Sequence, residues 1–363
     1  MRFYLHVVKL SERALMLIGA IVLPEPCSVK SDPAYSVRVP RNSELLAHVY
    51  TSCIEVLGSS VLERVVRNLR SAGVAAINVI ADSRFASHLP SVSLAPVRLT
   101  GMAEGIEEVA ESVFKEYVAQ GLELVVVIKL GPYAEFDLAD LIRFHRERNH
   151  GVTRVTDNQR QLPIWLIGAQ AVRWTHRTTM AELVESRNAS DLEPYVLRGY
   201  VNHLEGAQDL RRLAVDAFLS RCEVKPGGRE IRPGVWIEDG VEAHRTVRIV
   251  APAYVGAGTA VQADTLITRF SNVERDCILD AGAVVEDTSV LKNTYVGRGL
   301  DVSHAVVDGK VLVHLRHNLA VIVEDPRFLR RTLAAEAVSS SATAGKSSYA
   351  EQLLAAAWSQ LAS

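Results

Sequence analysis

The chain has 363 residues, 48% hydrophobic and 23% charged, with a formal net charge of −2. This length fits two or three domains with ample core, and the near-neutral balance gives no global electrostatic case for nucleic acid. Its four cysteines, Cys27, Cys53, Cys222 and Cys277, form no CxxC pair, so reduced thiols in a cytoplasmic protein are expected rather than a disulfide framework.

The first feature is the apolar run Ala14 to Leu23 (ALMLIGAIVL), behind Arg13. A signal peptide looks roughly like this. However, Glu12 precedes the run, and Pro24-Glu25-Pro26 after it is a poor cleavage site. The run is also too short to span a bilayer. A buried first strand over Ala14 to Gly19 is expected, with residues 1–13 as an upstream extension and Met16 as a second candidate start. Val61, Leu62, Val65, Val66 and Leu69 share one helical face, and Gly73 is placed to end that helix. Ala75 to Ile80 reads as a short apolar strand. Ile106, Val109, Ala110, Val113, Phe114 and Tyr117 form a second helical stripe, ended near Gly121. Leu122 to Ile128 is apolar throughout, as a strand covered on both faces would be. Asp137 is placed to cap a helix through Arg148. Leu162 to Ile167 reads as a strand, and Met180 to Ser186 and Ala207 to Ser220 as helices. This alternation predicts an α/β layer with a largely parallel sheet over 14–224.

After the linker Lys225-Pro226-Gly227-Gly228 the pattern changes. An aliphatic or small residue recurs every six positions: Ile231, Ile237, Ala243, Ile249, Val255, Val261, Ile267, Val273, Leu279, Val285, Leu291. Four residues after each runs a mostly small or β-branched series, from Val235 and Val241 through Thr259, Thr265, Ser271, Cys277 and Ser289 to Tyr295. A helix repeats near 3.6 and a flat strand at 2; a strict period of six predicts a parallel β-helix whose stacked side chains close one core. The next aliphatic after Leu291 is Val296, five residues on, so a slip or cap is expected there. This domain is assigned to 225–325. Ser339 to Ser348 is a flexible linker by composition. Leu353, Leu354, Ala357, Trp358 and Leu361 predict a short amphipathic helix at the end, docked on its own body or on a partner.

An α/β domain joined by a short linker to hexads resembles the sugar-1-phosphate nucleotidyltransferases, most nearly the mannose-1-phosphate guanylyltransferase and glucose-1-phosphate nucleotidyltransferase type. The resemblance covers roughly residues 14 to 325. It rests on Ile54 to Gly73, Glu135 to Arg146, Gly199 to Leu213, Pro233-Gly234-Val235-Trp236 and Glu286 to Leu300. It implies a Rossmann-like domain that joins a nucleoside triphosphate to a sugar phosphate, followed by a left-handed β-helix with three hexads to a coil. Such chemistry needs a glycine-rich loop around the phosphates, a basic residue, and carboxylates holding Mg²⁺. Set against that pattern, the loop position is Gly19, followed by Ala20-Ile21-Val22-Leu23, and the lysine position is Thr51. The metal aspartate falls at Leu130-Gly131 beside Lys129, and a second carboxylate near Asn202. Glu135, Asp137 and Asp140 are weighed as replacements and read instead as a helix cap and its exposed face. The expectation is a degenerate, non-catalytic family member. It would have no resident cofactor, Mg²⁺ entering only if the metal site is relocated. Its expected partners are a second copy or an active relative, with a sugar nucleotide as ligand and neither nucleic acid nor membrane.

Other groups have ordinary accounts beside functional ones. His145 and His150, near Arg146 and Arg148, fit a cationic helix end. His314 and His317, with Arg316, lack a third metal ligand. His244 and His304 are the candidate bases if the chain is a β-helix acyltransferase. Arg38, Arg41, Arg67, Arg70 and Arg84 either line a cleft over the sheet or are solvated surface.

Overall fold

A computed structural model of the chain describes residues 18–24, 53–82, 96–100, 105–148, 151–158, 160–169, 171 and 193–332. The predicted helices over 180–186 and 349–361, and the 339–348 linker, lie outside these residues.

The N-terminal body begins with β1 (Ile18–Pro24), β2 (Glu55–Val56), β3 (Ser59–Ser60) and α1 (Val61–Ser71). Next come β4 (Ala76–Asp82), β5 (Val97–Thr100), α2 (Ile106–Ala119), β6 (Leu124–Leu130) and β7 (Tyr133–Ala134). It closes with α3 (Leu138–Arg148), β8 (Val152–Thr156), β9 (Gln161–Gly168), β10 (Tyr195–Val196), β11 (Val201–Asn202) and α4 (Ala207–Phe218). A seven-stranded mixed sheet has the order β10-β8-β9-β6-β1-β4-β5. β5, β4, β1 and β6 are mutually parallel, and β9 is antiparallel to both β6 and β8.

β1 runs past the expected end at Gly19 to Pro24, residues 14–17 lie outside the described residues, and the strand is interior to the sheet. All seven of its residues are buried. Ala20 and Val22 pack with Leu62, Val66 and Leu69 of α1 and Leu141 of α3. Ile21 and Leu23 pack with Ala110, Val113 and Phe114 of α2 on the other face. A strand covered on both faces has no polar period, so the run carries no mark of where it ends. The start of α1 is sharply defined: Glu63 N donates to Ser60 Oγ at 3.2 Å while Ser60 N donates to Glu63 Oε2 at 2.6 Å, a capping box. Gly73 follows α1 in the left-handed region, φ 83°.

From Arg229 the chain visits three sheets in turn, building a three-sided stack. Val235 lies beside Ala253 and Ala253 beside Ser271, a step of eighteen residues, three hexads to a circuit. Glu242, Ala260 and Ile278 follow the same step on the second side, and Arg248, Leu266 and Val284 on the third. Val255, Val261, Ile267, Val273, Leu279 and Val285 are all at most 1% exposed. The period of six is thus borne out as stacked parallel strands.

Both ends of the predicted series need correction. Ile231 is 49% exposed on an antiparallel edge strand, Arg229–Arg232, and does not join the ladder. Ala243 is exposed as well, because the first circuit is covered on one side only. At the far end the slip comes one corner early. Val273 pairs with Val290, seventeen residues on, so Val290 is the inward residue and Leu291 packs toward the α/β body instead. The cause is visible at the corner. Arg269 and Phe270 are both left-handed, φ 54° and 62°, whereas the equivalent corner has Asp287 alone, φ 47°, and the next has His304 alone, φ 50°. Two-residue corners become one-residue corners, and each later circuit is one residue shorter. Tyr295 then leaves the small-residue series, its place taken by the fully buried Thr294.

Corner hydroxyls tie the circuits together. The hydroxyl of Thr259 donates to Glu274 O at 3.0 Å, Thr265 to Asp280 O at 3.2 Å, Ser271 to Val285 O at 3.1 Å and Thr288 to Val302 O at 3.2 Å. The small size of that series suits the corner, and its polarity satisfies carbonyls of the next circuit.

Candidate functional site

The positions to inspect are those at the carboxyl end of β6 and β1. Gly19 is not a loop residue. It lies inside β1, where an added Cβ would collide with the ring of Tyr117. The Tyr117 hydroxyl donates to Ala20 O at 3.2 Å and accepts from Asn78 Nδ2 at 2.7 Å. Gly19 is therefore a close-packing glycine, and Ile21, Val22 and Leu23 are sheet core rather than a plug in a phosphate site. No glycine occurs in the sequence between Gly19 and Gly58. Thr51 lies outside the described residues.

Gly131 and Asn202 are brought together. Gly131-Pro132 forms the turn from β6 to β7, and Asn202 on β11 is the antiparallel partner of Tyr133 on β7. An added Cβ at Gly131 would meet open space. Asn202 is fully buried and spent on its own backbone. Its Nδ2 donates to Asp209 O at 2.8 Å, and its Oδ1 accepts from Leu204 N at 3.0 Å, which fixes the turn into α4. Beside the turn is an apolar hollow, lined by Val65, Leu69, Pro132, Phe136 and Ile164, with Asn68 its one polar side chain.

The three nearby carboxylates are all engaged. Asp137 caps α3, as expected, through Ala139 N at 2.8 Å. Glu135 is not on an exposed face: it is buried, accepting from the Tyr133 hydroxyl and from Glu223 N, both at 2.8 Å. Burial raises its pKa. Asp140 accepts from the Tyr195 hydroxyl at 2.8 Å and pairs with Arg143. A site for Mg²⁺ needs oxygen ligands, chiefly carboxylates. The set here offers a glycine, a clasped amide and three committed carboxylates, so it does not fit the ion.

A cluster of charged groups lies where the two bodies meet, of which the sequence analysis singled out His304 alone. Glu274, fully buried at a corner of the stack, accepts from Leu57 N at 2.7 Å, Gly58 N at 3.0 Å and Asn272 Nδ2 at 2.8 Å. Leu57 and Gly58 are both left-handed, φ 55° and 85°, which turns successive N–H groups onto the carboxylate. Burial pushes the Glu274 carboxyl up to about 7, with the three donors opposing. Next to it, Glu55 Oε1 bonds Arg275 at 2.6 Å and Lys292 at 3.0 Å. Arg64, its pKa lowered by burial, donates to Val56 O at 2.6 Å. From α4, the buried Arg211 donates to Phe270 O at 3.0 Å and Asp287 Oδ1 at 2.8 Å, at the corner where the circuits shorten. His304 Nδ1 lies 2.5 Å from the other oxygen of Asp287. Burial disfavours the Asp287 anion, yet Arg211 and His304 hold its carboxyl below the ordinary range. No local signal marked them: Glu274 is followed by Arg275 and Asp276, Asp287 follows Glu286, and Arg211 stands beside Arg212.

The remaining candidates scatter. His145 is buried, its Nδ1 2.8 Å from Thr153 Oγ1, in the last turn of α3 with Arg146 and Arg148. His150, Arg38, Arg41 and Arg84 lie outside the described residues, while Arg67 and Arg70 are exposed on α1. His244 is exposed and bonded to Thr246. His314 and His317 stack at 4.7 Å. Among the described residues no three His, Cys, Asp or Glu side chains are grouped to hold a metal ion. No described helix is long and apolar enough to cross a membrane. A scan of the sequence against protein-family models finds no match, and a search of curated proteins finds none either.

Proposed function

We propose that the chain is a non-catalytic relative of the sugar-1-phosphate nucleotidyltransferases, with a Rossmann-like layer and a left-handed β-helix. It would act as a sugar-nucleotide-binding regulator or assembly partner in carbohydrate or polysaccharide biosynthesis. The observation that carries this reading is the pairing of β7 with β11. It brings Gly131 and Asn202 to one place, as two metal-site positions of that family should be, and among the described residues the nearby Glu135, Asp137 and Asp140 are already engaged. The missing glycine-rich loop after Pro24 supports it independently. An active enzyme with relocated carboxylates is the competing reading. A β-helix acyltransferase is the further alternative; Asp287 on Nδ1 of His304 is the contact that orients a base histidine, so it does not speak against that reading.

The test is pyrophosphate release by the purified chain with Mg²⁺, nucleoside triphosphates and mannose or glucose 1-phosphate, alongside calorimetric titration with GDP-mannose. Saturable binding without turnover is expected. Turnover that disappears in Gly131→Arg would establish the active-enzyme reading in its place.

A further inference from the structure

The eight-stranded side of the stack ends in a hairpin of two strands, Val311–His314 and Leu319–Ile322, joined to the strand Ala305–Asp308. Part of the hairpin belongs to the junction: Val313 and Ala320 are buried in the same cluster as Leu57, Tyr133 and Leu210 of the α/β body. Its turn carries two histidines. The rings of His314 and His317 are stacked, with centres 4.7 Å apart and planes 31° from parallel. His314 Nδ1 is buried and meets no partner at hydrogen-bonding geometry. His304 lies across the ladder, its backbone oxygen accepting from Leu315 N at 2.8 Å. Arg316 separates the two stacked residues in sequence and adds a permanent cation. The carboxylates around the hairpin are committed elsewhere. Asp287 is divided between Arg211 and His304. Glu286 pairs with Arg269, Asp308 with Arg331 and, at the open end of the hairpin, Glu324 with Lys310. Among the described residues no carboxylate is paired with His314 or His317.

We infer that this hairpin is an acid-sensitive latch on the junction, closed while His314 and His317 are neutral and loosened once both are protonated. Neutral imidazoles rest against each other at this spacing. Two imidazolium ions there repel, Arg316 adds to the repulsion, and no anion is in place to offset it. His314 shows the matching direction: burial lowers its pKa, and the charges of His317, His304 and Arg316 lower it further against its own backbone. A histidine whose pKa falls on folding contributes stability that is present above its unfolded value of 6.5 and is lost as pH drops below it. Loosening the hairpin would withdraw Val313 and Ala320 and open the cluster that they help to close. Glu274, at the same junction, has the opposite sign, because its pKa is raised. The change is therefore to be read in the hairpin itself and not in global stability.

Hydrogen exchange of the full chain at about pH 5.5 and about pH 7.5, corrected for the intrinsic pH dependence of amide exchange, tests this. Protection over residues 311–322 is expected to fall about fivefold at the lower pH, the effect of two like charges at this spacing in water. Protection over residues 260–285, in the middle circuits, should not fall with it. His314→Gln combined with His317→Gln should abolish the fall. A second measurement needs no variant: in an NMR titration of wild type, the His314 ring should titrate with a midpoint below 6.5. Unchanged protection over 311–322 would overturn the proposal, as would an equal fall over 260–285. So would a fall of the same size in the double variant, or a His314 midpoint at or above 6.5. None of these readouts depends on nucleotide binding or turnover, so the latch and the proposed function stand or fall separately.

Discussion

Glu274 is enclosed at the junction with three N–H donors and no cation bonded to it. A carboxyl whose pKa rises on folding, here from 4.5 to about 7, favours the folded state most when protonated. Its contribution is complete below about pH 4.5 and lost as pH rises through about 7, a swing of about 3 kcal/mol. Urea unfolding at pH 5 and pH 8 should therefore show wild type losing stability across that interval by more than Glu274→Gln does. Equal losses would show that Glu274 titrates normally. The variant should also be weaker at pH 5 by about 1–3 kcal/mol, because its amide NH₂ faces a backbone donor of the Leu57–Gly58 turn. Arg211 poses the converse case, a buried cation with a dedicated anion. Arg211→Ala should cost about 3–5 kcal/mol in the same assay, since it leaves Asp287 half-buried with only His304.

At the scale of the element, the corner hydroxyls govern how circuits stay in phase. Thr288 donates to Glu286 O at 2.8 Å and Val302 O at 3.2 Å, and accepts from Ala305 N at 3.2 Å. Thr288→Val keeps the shape and removes all three bonds, so a loss of about 1–3 kcal/mol is expected by denaturant titration. A neutral substitution would mean that packing alone holds the corner. The hexads were legible because one strict period runs from Ile237 to Val285, and stacking demands that each of those residues face inward. The slip was misplaced because Val290 and Leu291 are adjacent aliphatics, and only three-dimensional pairing decides which one turns in. The far end of β1 was set too early, at Gly19, because ALMLIGAIVL is apolar at every step, leaving no phase to locate it. The clasp at Asn202 and the Glu274 contact join residues far apart in the chain, and no local pattern encodes them.

For the whole molecule, the shared junction is expected to make the two bodies unfold as one cooperative unit. Apolar residues from both, including Leu57, Tyr133 and Leu210 on one side and Tyr254, Leu291 and Val306 on the other, form a single buried cluster. Trp165 lies in the sheet and Trp236 against Phe218 of α4. In each variant retaining only one of these tryptophans, the urea midpoint by fluorescence should match that of the same variant by circular dichroism. Midpoints that separate would show that the sheet and the stack melt independently.

The step of eighteen residues also bears on how such a chain can change length over generations. Every strand of the stack finds its neighbours one full turn away, so a tandem duplication of one turn would extend the molecule by about 4.8 Å without altering any side chain's facing. A one-residue deletion is survivable only at a corner, where Asp287 and His304 already stand in for a pair; inside a strand it would invert the facing of the residues beyond it. The α/β body, however, grips the turns that carry Glu274, Arg275, Asp287 and Lys292. Growth between those residues would tear the grip apart, which restricts length variation among descendants of this chain to the turns on either side of it.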